Sequence, residues 1–465
     1  MHVFPFRKCA NPMNKLKRHL EWGKILEFVI VFGILPTIIF AVIGSRWPGV
    51  LQVIYYVIVT AFVIQAAMSY LNSLAAARRA SYETKEWAPA IPPVPKTTFI
   101  VCAYMPNEVD VIEATLLNLL EKVQRPAAGI EVILAYNTDH LVGVEQKLKN
   151  LAIKWPELIL ANAHKSHGKS ENLNYAVDLA SGQIIALLDA DHIVAPDCLA
   201  RAWRWLASGY DIVQGRCKIR NGGASVISSM VEVEFEGIYS ISHYAKSKLF
   251  DTALFGGSDA YWKADVIKKI RFLPERLTED IDATLRALQQ GYRIVHDRSI
   301  VSRELAPEDL AGLWYQRKRW SQGWFQCSVI HQKPVLKSPV LSGRAKFIWT
   351  WLLAWRVIYD VIANLLFPVV FAYWIVSGHI TFPMNGYIWF TLIFTLLSGP
   401  FEGVVAYKNA VPPRFPISRL LLYAMLSFPY TLLKNVIQMI AIRDELLGKR
   451  DWVISSRIPH QTASV

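Results

Sequence analysis

The chain has 465 residues, of which 53% are hydrophobic, and it carries a formal net charge of +13. This length allows two or three modules, and the mean hydropathy of +0.25 is not that of an ordinary soluble enzyme. The excess Lys and Arg lie near the ends of apolar segments, which favours lipid headgroups over nucleic acid as the partner. The five cysteines form no CxxC pair, which argues against a structural zinc site and a disulfide framework.

Apolar segments lie near both ends of the chain. Each has about 20 residues, enough to cross a hydrocarbon core of about 30 Å as a helix. The first is too long for the apolar region of a signal peptide, and a second follows at once, so we expect no cleaved signal. The pattern predicts an integral membrane protein with about five spans. They are residues 25–43, 50–71, 357–376, 386–407 and 419–440.

The distribution of Lys and Arg predicts how the chain is oriented. The segment before the first span is basic, whereas "ITFPMN" between the third and fourth spans carries no Lys or Arg. The positive-inside rule therefore places the N-terminus and the middle domain in the cytoplasm, at the cell inner or plasma membrane. The basic stretch 443–457 conflicts with this count, because five spans would leave it outside. Either an interfacial helix is miscounted or the last segment does not fully cross.

Between the two groups of spans lies a soluble-looking region. Short apolar runs such as "TTFIVCAY" and "IIALLDAD" alternate with helical patterns, which predicts an α/β fold with a largely parallel, Rossmann-like sheet. No GxGxxG or GxxxxGKS motif follows the first strand. We divide the chain into an N-terminal basic segment with two spans, a Pro-rich linker, a middle domain, interfacial helices, about three spans and a tail. Their bounds are 1–80, 81–95, 96–303, 304–345, 346–442 and 443–465.

The stretch "LLDADHIV" places Asp189 and Asp191 one residue apart at the end of a buried apolar run. In open α/β sheets, ligands bind at the carboxyl ends of the strands. Two carboxylates at that edge suit a hard divalent ion, and such ions usually accompany phosphates. A solvated loop with two capping acids is the alternative.

Two further stretches carry polar groups that also have simpler explanations. "SHGKSENLN" (166–174) places Lys169 and Asn174 at the start of a helix, which suits a phosphate or is merely a capped helix. "LTEDIDATLRAL" (277–288) has acids in a first turn behind Thr278, a plausible N-cap that would explain them by itself.

"WYQRKRWSQGW" (314–324) is aromatic and basic, as expected for an amphipathic helix on a membrane surface. The order of DAD, TED and QRKRW between apolar spans resembles the membrane-embedded family 2 glycosyltransferases, which include the cellulose, chitin and hyaluronan synthases and membrane-lipid glycosyltransferases. By motif, the resemblance covers about residues 97–325. It implies a nucleotide-sugar-binding, GT-A-like cytosolic domain flanked by transmembrane helices, acting as an inverting hexosyltransferase.

The resemblance also implies residue roles. Asp280 is the base for the acceptor hydroxyl, with Glu279 beside it. Asp189 and Asp191 hold Mg2+ or Mn2+, with Asp189 close to the nucleotide of a UDP-sugar donor. In QxxRW, the Arg meets the diphosphate and the Trp stacks on the acceptor sugar. The further substrate-binding candidates are Lys169, Asn174, Gln316, Arg319 and Trp320.

The first half departs from the family pattern. "VCAYMPNE" ends at Glu108 where relatives have a shorter motif, and "LAYNTDH" offers Asn137 and Asp139 where they often have an acid pair. Glu108 and Asp139 are therefore the candidates for binding the base and ribose, and the uridine assignment is the part put in doubt. Three functions stay open: a polysaccharide synthase, an enzyme that glycosylates a membrane lipid such as diacylglycerol or ceramide, and a transporter or receptor with a regulatory nucleotide domain.

Overall fold

The chain was described from a computed structural model. Cys9 and Asp139 lie outside the part of the chain that the structure describes. The predicted linker and the predicted tail lie partly outside it. The described residues are 20–77, 91–138, 143–379 and 385–450.

One mixed sheet of eight strands organises the middle domain. The strand order is β3-β2-β1-β4-β7-β6-β8-β5. β1 lies parallel between β2 and β4, whereas β7 runs antiparallel to both of its neighbours. The strands are β1 (Thr97–Tyr104), β2 (Ile130–Asn137), β3 (Leu158–Asn162), β4 (Ile184–Asp189), β5 (Ile193–Val194), β6 (Ile212–Ile219), β7 (Ala260–Lys263) and β8 (Ile294–Glu304).

The parallel half of the sheet follows from apolar runs without alternation. β1, β2 and β4 are buried along almost their whole length, because helices cover both faces. Their carboxyl ends reach one edge together, since Cys102 of β1 pairs with both Ala135 of β2 and Asp189 of β4. The acid pair therefore begins at the carboxyl edge of the sheet, as the sequence predicts.

Helices pack on both faces of this sheet. Among the described residues, π-helical segments continue helices at 29–34, 118–122 and 237–243. The helices of the middle region are α4 (Met105–Glu108), α5 (Ile112–Leu117), α6 (Val144–Lys154), α7 (Lys169–Leu179), α8 (Cys198–Ala207), α9 (Val226–Glu236), α10 (Tyr244–Phe250), α11 (Ala264–Ile270), α12 (Glu279–Gln289) and α13 (Leu310–Lys337).

Five helical segments among the described residues are long and apolar enough to cross a membrane, which agrees with the predicted number. They are Trp22–Arg46, Pro48–Ala77, Gly343–Ser377, Gly386–Asn409 and Ile417–Leu446. Their helices are α1 (Trp22–Phe28), α2 (Leu35–Arg46), α3 (Pro48–Ala77), α14 (Gly343–Asn364), α15 (Leu366–Ser377), α16 (Gly386–Asn409) and α17 (Ile417–Leu446).

Two features differ from the sequence prediction. The sheet is mixed rather than largely parallel, because the short β7 inserts between β4 and β6. The third span starts at Gly343, fourteen residues before the predicted position of 357. Its first turns contain Arg344 and Lys346, and these charges hide the helix from a search for apolar runs.

Candidate active site

Lys169 joins three of the motifs that are far apart in sequence. Its Nζ lies 2.6 Å from Asp189 Oδ1 and 3.5 Å from Glu279 Oε1. It also donates a hydrogen bond of 2.9 Å to the carbonyl of Gly257. The start of α7, the end of β4, the start of α12 and the loop before β7 therefore meet at the carboxyl edge of the sheet.

The charges in this group alter one another's protonation. Burial alone would lower the pKa of Lys169, but the Asp189 and Glu279 carboxylates raise it above its usual value, so Lys169 stays positive. Burial and the neighbouring Glu279 raise the pKa of Asp280 to about 7, while Lys169 opposes that rise. A carboxylate with a pKa near neutrality is suited to accept a proton from a substrate hydroxyl.

The loop before β7 brings the backbone close to Asp280. Gly257 has a φ of +88°, and a Cβ at this position would lie 3.0 Å from Asp280 Oδ2. Gln214 of β6 fixes the loop from below: its Nε2 donates to the Ser258 carbonyl at 2.9 Å, and its Oε1 accepts from Gly256 N at 2.8 Å. Ser258 Oγ in turn accepts from Asp189 N at 3.0 Å. A glycine is required here both by the backbone and by the space.

Helix capping does not explain the acids of the TED stretch. Thr278 occupies the N-cap position of α12, but its side chain makes no capping hydrogen bond. Asp282 points elsewhere and pairs with Arg286 at 2.6 Å and with His331 at 2.9 Å. Glu279 and Asp280 are thus the two acids of this turn that belong to the Lys169 group.

Asp191 follows Asp189 but has different neighbours. Its Oδ2 accepts a hydrogen bond of 3.0 Å from Leu305 N, and its Oδ1 lies 3.2 Å from His192 Nδ1. Each carboxylate oxygen can accept more than one partner, so these contacts leave it able to act as a ligand. Two carboxylates at the end of β4, one already neutralised by an ammonium group, form a donor set that fits Mg2+ or Mn2+.

A second cluster lies next to Asp191. The ligand atoms of His192, Cys217 and Glu304 all lie within 4.8 Å of one another. Burial alone would lower the pKa of His192, but Glu304 and Asp191 raise it well above its usual value. The His192 ring lies between Asp191 Oδ1, 3.2 Å from its Nδ1, and Glu304 Oε2, 3.7 Å from its Nε2, so this cluster holds the Asp191 carboxylate in place.

The QRKRW residues lie on α13. Arg319 Nη1 donates to the carbonyl of Leu277 at 3.2 Å, directly before the TED turn. Burial and Glu279 raise the pKa of Asp280, and the charge of Arg319, like that of Lys169, opposes this rise. Trp320 is half-buried, with its ring centroid 6.2 Å from that of Phe235. The Oε1 atom of Gln316 is buried without a hydrogen-bond partner among the described residues. The structure therefore brings Arg319 to the acid group and places Trp320 against α9.

The predicted nucleotide-binding residues of the first half are less closely grouped. The side-chain amide of Asn174 forms two hydrogen bonds with the backbone of Phe272, at 2.7 and 3.0 Å, so it fastens α7 to the loop after α11. Glu108 lies at the end of α4, where its carboxylate accepts from Tyr104 N at 2.6 Å. Asn137 accepts from Asn172 at 2.8 Å at the end of β2. Asp139 lies outside the described residues.

Sequence reasoning missed Gln214 and the buried Arg317. Gln214 sits in the middle of β6, where an isolated polar residue gives no motif signal. Arg317 lies within QRKRW but between the positions of the QxxRW pattern. Its side chain is 7% exposed and pairs with Glu234 of α9, an acid that the sequence analysis did not consider.

Two family descriptions match the middle domain and part of the candidate membrane helices. Residues 98–269 match the family described as "Glycosyl transferase family 2". Residues 184–401 match "Glycosyl transferase family group 2", which extends into the membrane helices. The two matches overlap and together run from β1 to α16.

The chain is also similar to individual proteins. Poly-beta-1,6-N-acetyl-D-glucosamine synthase of Staphylococcus aureus (strain MSSA476) is 27% identical over 233 residues, which are 49% of this chain and 54% of that one. The synthase of the same name from Staphylococcus epidermidis is 24% identical over 249 residues, 53% of this chain and 58% of that one. The similarity therefore spans little more than half the length of these relatives.

A solved structure shares the fold. The mannosyltransferase PcManGT of Pyrobaculum calidifontis, in complex with GDP-Man and Mn2+, matches with a TM-score of 0.53 and 20% identity, covering 86% of this chain and 100% of that one. At this identity the likeness concerns the fold alone, a mixed α/β sheet of the GT-A type.

Proposed function

We propose that this chain, which contains glycosyltransferase family 2 domains, is a membrane-integrated inverting transferase that moves a hexosyl or N-acetylhexosaminyl group from a UDP-sugar to a growing polysaccharide. One observation carries this proposal. Asp280, whose pKa is raised to about 7, lies beside a backbone loop and a partly buried ammonium group at the ligand-binding edge of the sheet.

The proposed reaction uses the residues of this edge in separate roles. Asp280 accepts the proton of the acceptor hydroxyl as the new bond from that oxygen to the sugar C1 forms. The bond from C1 to the diphosphate oxygen breaks on the opposite side, and UDP leaves with the bonding electrons. Lys169 and Arg319 supply positive charge for the diphosphate. Glu279 holds Lys169 and raises the pKa of the base.

Asp189 and Asp191 would hold Mg2+ or Mn2+, which supplies further charge neutralisation for the leaving diphosphate when bound. Asp189 is already next to one cation, the Lys169 ammonium group. We propose that Trp320 stacks on the acceptor sugar and that Gln316, Glu108 and Asp139 belong to the substrate-binding surface. The Asn174 side chain, predicted to bind substrate, is instead bonded to the Phe272 backbone and holds α7 in place. The choice of uridine rests on the resemblance.

We also propose that the catalytic domain faces the cytoplasm of a cell inner or plasma membrane. The basic residues near the ends of the spans support this orientation. The donor site would then lie where nucleotide sugars are made.

Lipid glycosylation is the second candidate, and one observation favours it. Several polar groups of the membrane segments already have partners: Glu402 accepts from Ser69, and Lys434 pairs with Glu234 at 2.8 Å. These contacts join packed segments to one another, which explains the polar groups without a sugar channel. A single-sugar product needs no channel.

The test is to incubate membranes containing the chain with labelled UDP-sugars or GDP-mannose and Mg2+ or Mn2+, then separate solvent-extractable from insoluble label. Insoluble label from a UDP-sugar, lost with Asp280→Asn, is the expected result. Extractable label would support the lipid alternative. No transfer from any donor, with the protein folded, would refute the function.

A further inference from the structure

Glu234 is a buried acid outside the Lys169 group. It lies on α9, where the sequence "VEVEFE" places three acids at alternating positions. Its neighbours Glu232 and Glu236 each pair with a single arginine, Arg419 and Arg216. Glu234 differs because it meets cationic or hydroxyl groups from two other helices.

Three donors converge on the Glu234 carboxylate. Arg317 of α13 donates to it at 2.6 Å, Tyr430 of α17 at 2.7 Å and Lys434 of α17 at 2.8 Å. Burial alone would raise the pKa of Glu234, but Arg317 and Lys434 lower it to about 2. Glu234 is therefore charged across the working pH range, and its hold on Arg317 does not depend on titration.

Arg317 connects this carboxylate to the candidate acceptor-binding tryptophan. Its guanidinium carbon lies 4.4 Å from the Trp320 ring centroid and 5.7 Å from that of Phe235. Residues three apart on a helix share a face, so Arg317 lies against the indole without distorting α13. A guanidinium group over an indole is a favourable contact, and Arg suits it better than Lys because it is planar.

We propose that Glu234 is a positioning residue for the acceptor: it holds Arg317 against Trp320, and Arg317 in turn fixes the orientation of the indole on which the acceptor sugar stacks. Through Tyr430 and Lys434, the same carboxylate sets the position of the indole relative to the last membrane span. This inference rests on the proposed function for the role of Trp320, but the contacts themselves do not.

The first test compares Glu234→Gln with Glu232→Gln, which removes a charge on the same helix but touches no part of the Arg317–Trp320 contact. We expect the acceptor KM to rise about tenfold in Glu234→Gln. Donor KM and acceptor-independent donor hydrolysis should stay near wild type, because Arg319, the donor group on α13, is held by the Leu277 carbonyl and not by Glu234. Glu234→Asp, which keeps the charge, should recover part of the loss.

A double variant separates positioning from general packing. If Glu234 acts through Trp320, then Glu234→Gln combined with Trp320→Ala should have the acceptor KM of Trp320→Ala alone. Additive losses, or an equal rise in acceptor KM in Glu232→Gln, would overturn the proposal.

A spectroscopic test needs no turnover. In protein labelled with 5-fluorotryptophan, the Trp320 signal is assigned by its loss in Trp320→Phe. Glu234→Gln should shift or broaden that signal while Glu232→Gln leaves it unchanged; an unchanged signal in both would contradict the positioning role. The two proposals can fail separately. If the wild-type protein transfers no sugar but Glu234→Gln still shifts the Trp320 signal, the proposed function is refuted and the Glu234–Arg317–Trp320 contact is not.

Discussion

At the scale of single residues, the site depends on a balance between one ammonium group and three carboxylates. Lys169 touches Asp189 and Glu279, and its charge keeps the pKa of Asp280 from rising further. Since a base must be ionised, activity should fall as the pH falls through about 7, the pKa of Asp280.

Lys169→Ala tests this balance. Without the ammonium group, the pKa of Asp280 should rise, so the acidic limb of the pH–rate profile should move up by about one pH unit. The maximal rate should also drop, because a cation for the diphosphate is lost. Rates measured from pH 5.5 to 9 decide this. Lys165→Ala, at an exposed position, is the control and should leave the pH–rate profile unchanged. If the acidic limb of the profile does not move in Lys169→Ala, Asp280 is not the titrating group.

At the scale of elements, the loop before β7 sets the distance between backbone and base. Gly257 has positive φ, and its Cα faces the Asp280 carboxylate. The hydrogen bonds of Gln214 leave the loop little room to move. A side chain at this position would therefore displace Asp280 rather than the loop.

Gly257→Ala should cost activity beyond its cost in stability. The control is Gly209→Ala, which has a similar φ of +90° but nothing within 4 Å of the added Cβ. Both variants should lose about 1 kcal/mol of stability from the strained backbone. Only Gly257→Ala should also lose turnover, by at least tenfold, because its methyl group meets the base. Equal turnover in the two folded variants would remove Gly257 from the site.

The elements that sequence patterns predicted are those with a simple physical signal. β1 was predicted with its observed bounds, because "TTFIVCAY" consists of β-branched and apolar residues without a charge. β8 was not predicted: its buried positions include His296, Asp297 and Arg298, so it lacks the apolar run of a buried strand. The Lys169 contacts to Asp189 and Glu279 depend on long-range packing, and no local spacing encodes them.

At the scale of the whole molecule, charged contacts join helix α13 to the ends of the first and last candidate spans. Lys318, the middle residue of QRKRW, lies 2.6 Å from Asp444 and 2.9 Å from Glu21. Lys24 lies 2.6 Å from the same Asp444. Lys318 is 14% exposed and lies between the ends of the first and last candidate spans, and the membrane-surface position that the sequence motif indicates for this helix stays a prediction.

Lys318→Met should therefore be mainly a stability variant. Removing this partly buried cation leaves Glu21 and Asp444 with fewer partners and should cost about 1–3 kcal/mol. Thermal unfolding in detergent measures the loss, and donor hydrolysis by the folded protein should change less than twofold. Lys333→Met, on an exposed position of the same helix, should have little effect. A large loss of hydrolysis at unchanged stability would instead place Lys318 in the donor site.

The central claim is that Asp280 is the base for sugar transfer. The most direct test measures transfer by the purified chain and by Asp280→Asn in lipid nanodiscs, with Mn2+ and the labelled nucleotide sugar that the wild-type protein uses. The variant should be at least as stable as wild type at pH 8. A carboxyl group whose pKa is raised by folding destabilises the folded state progressively as the pH rises from its ordinary pKa to the raised value of about 7, so this loss is complete at pH 8, and Asn removes the charge that causes it. The account predicts a rate of transfer lower by about 10²–10⁴ in Asp280→Asn, with donor binding kept. Transfer at the wild-type rate by Asp280→Asn would contradict it.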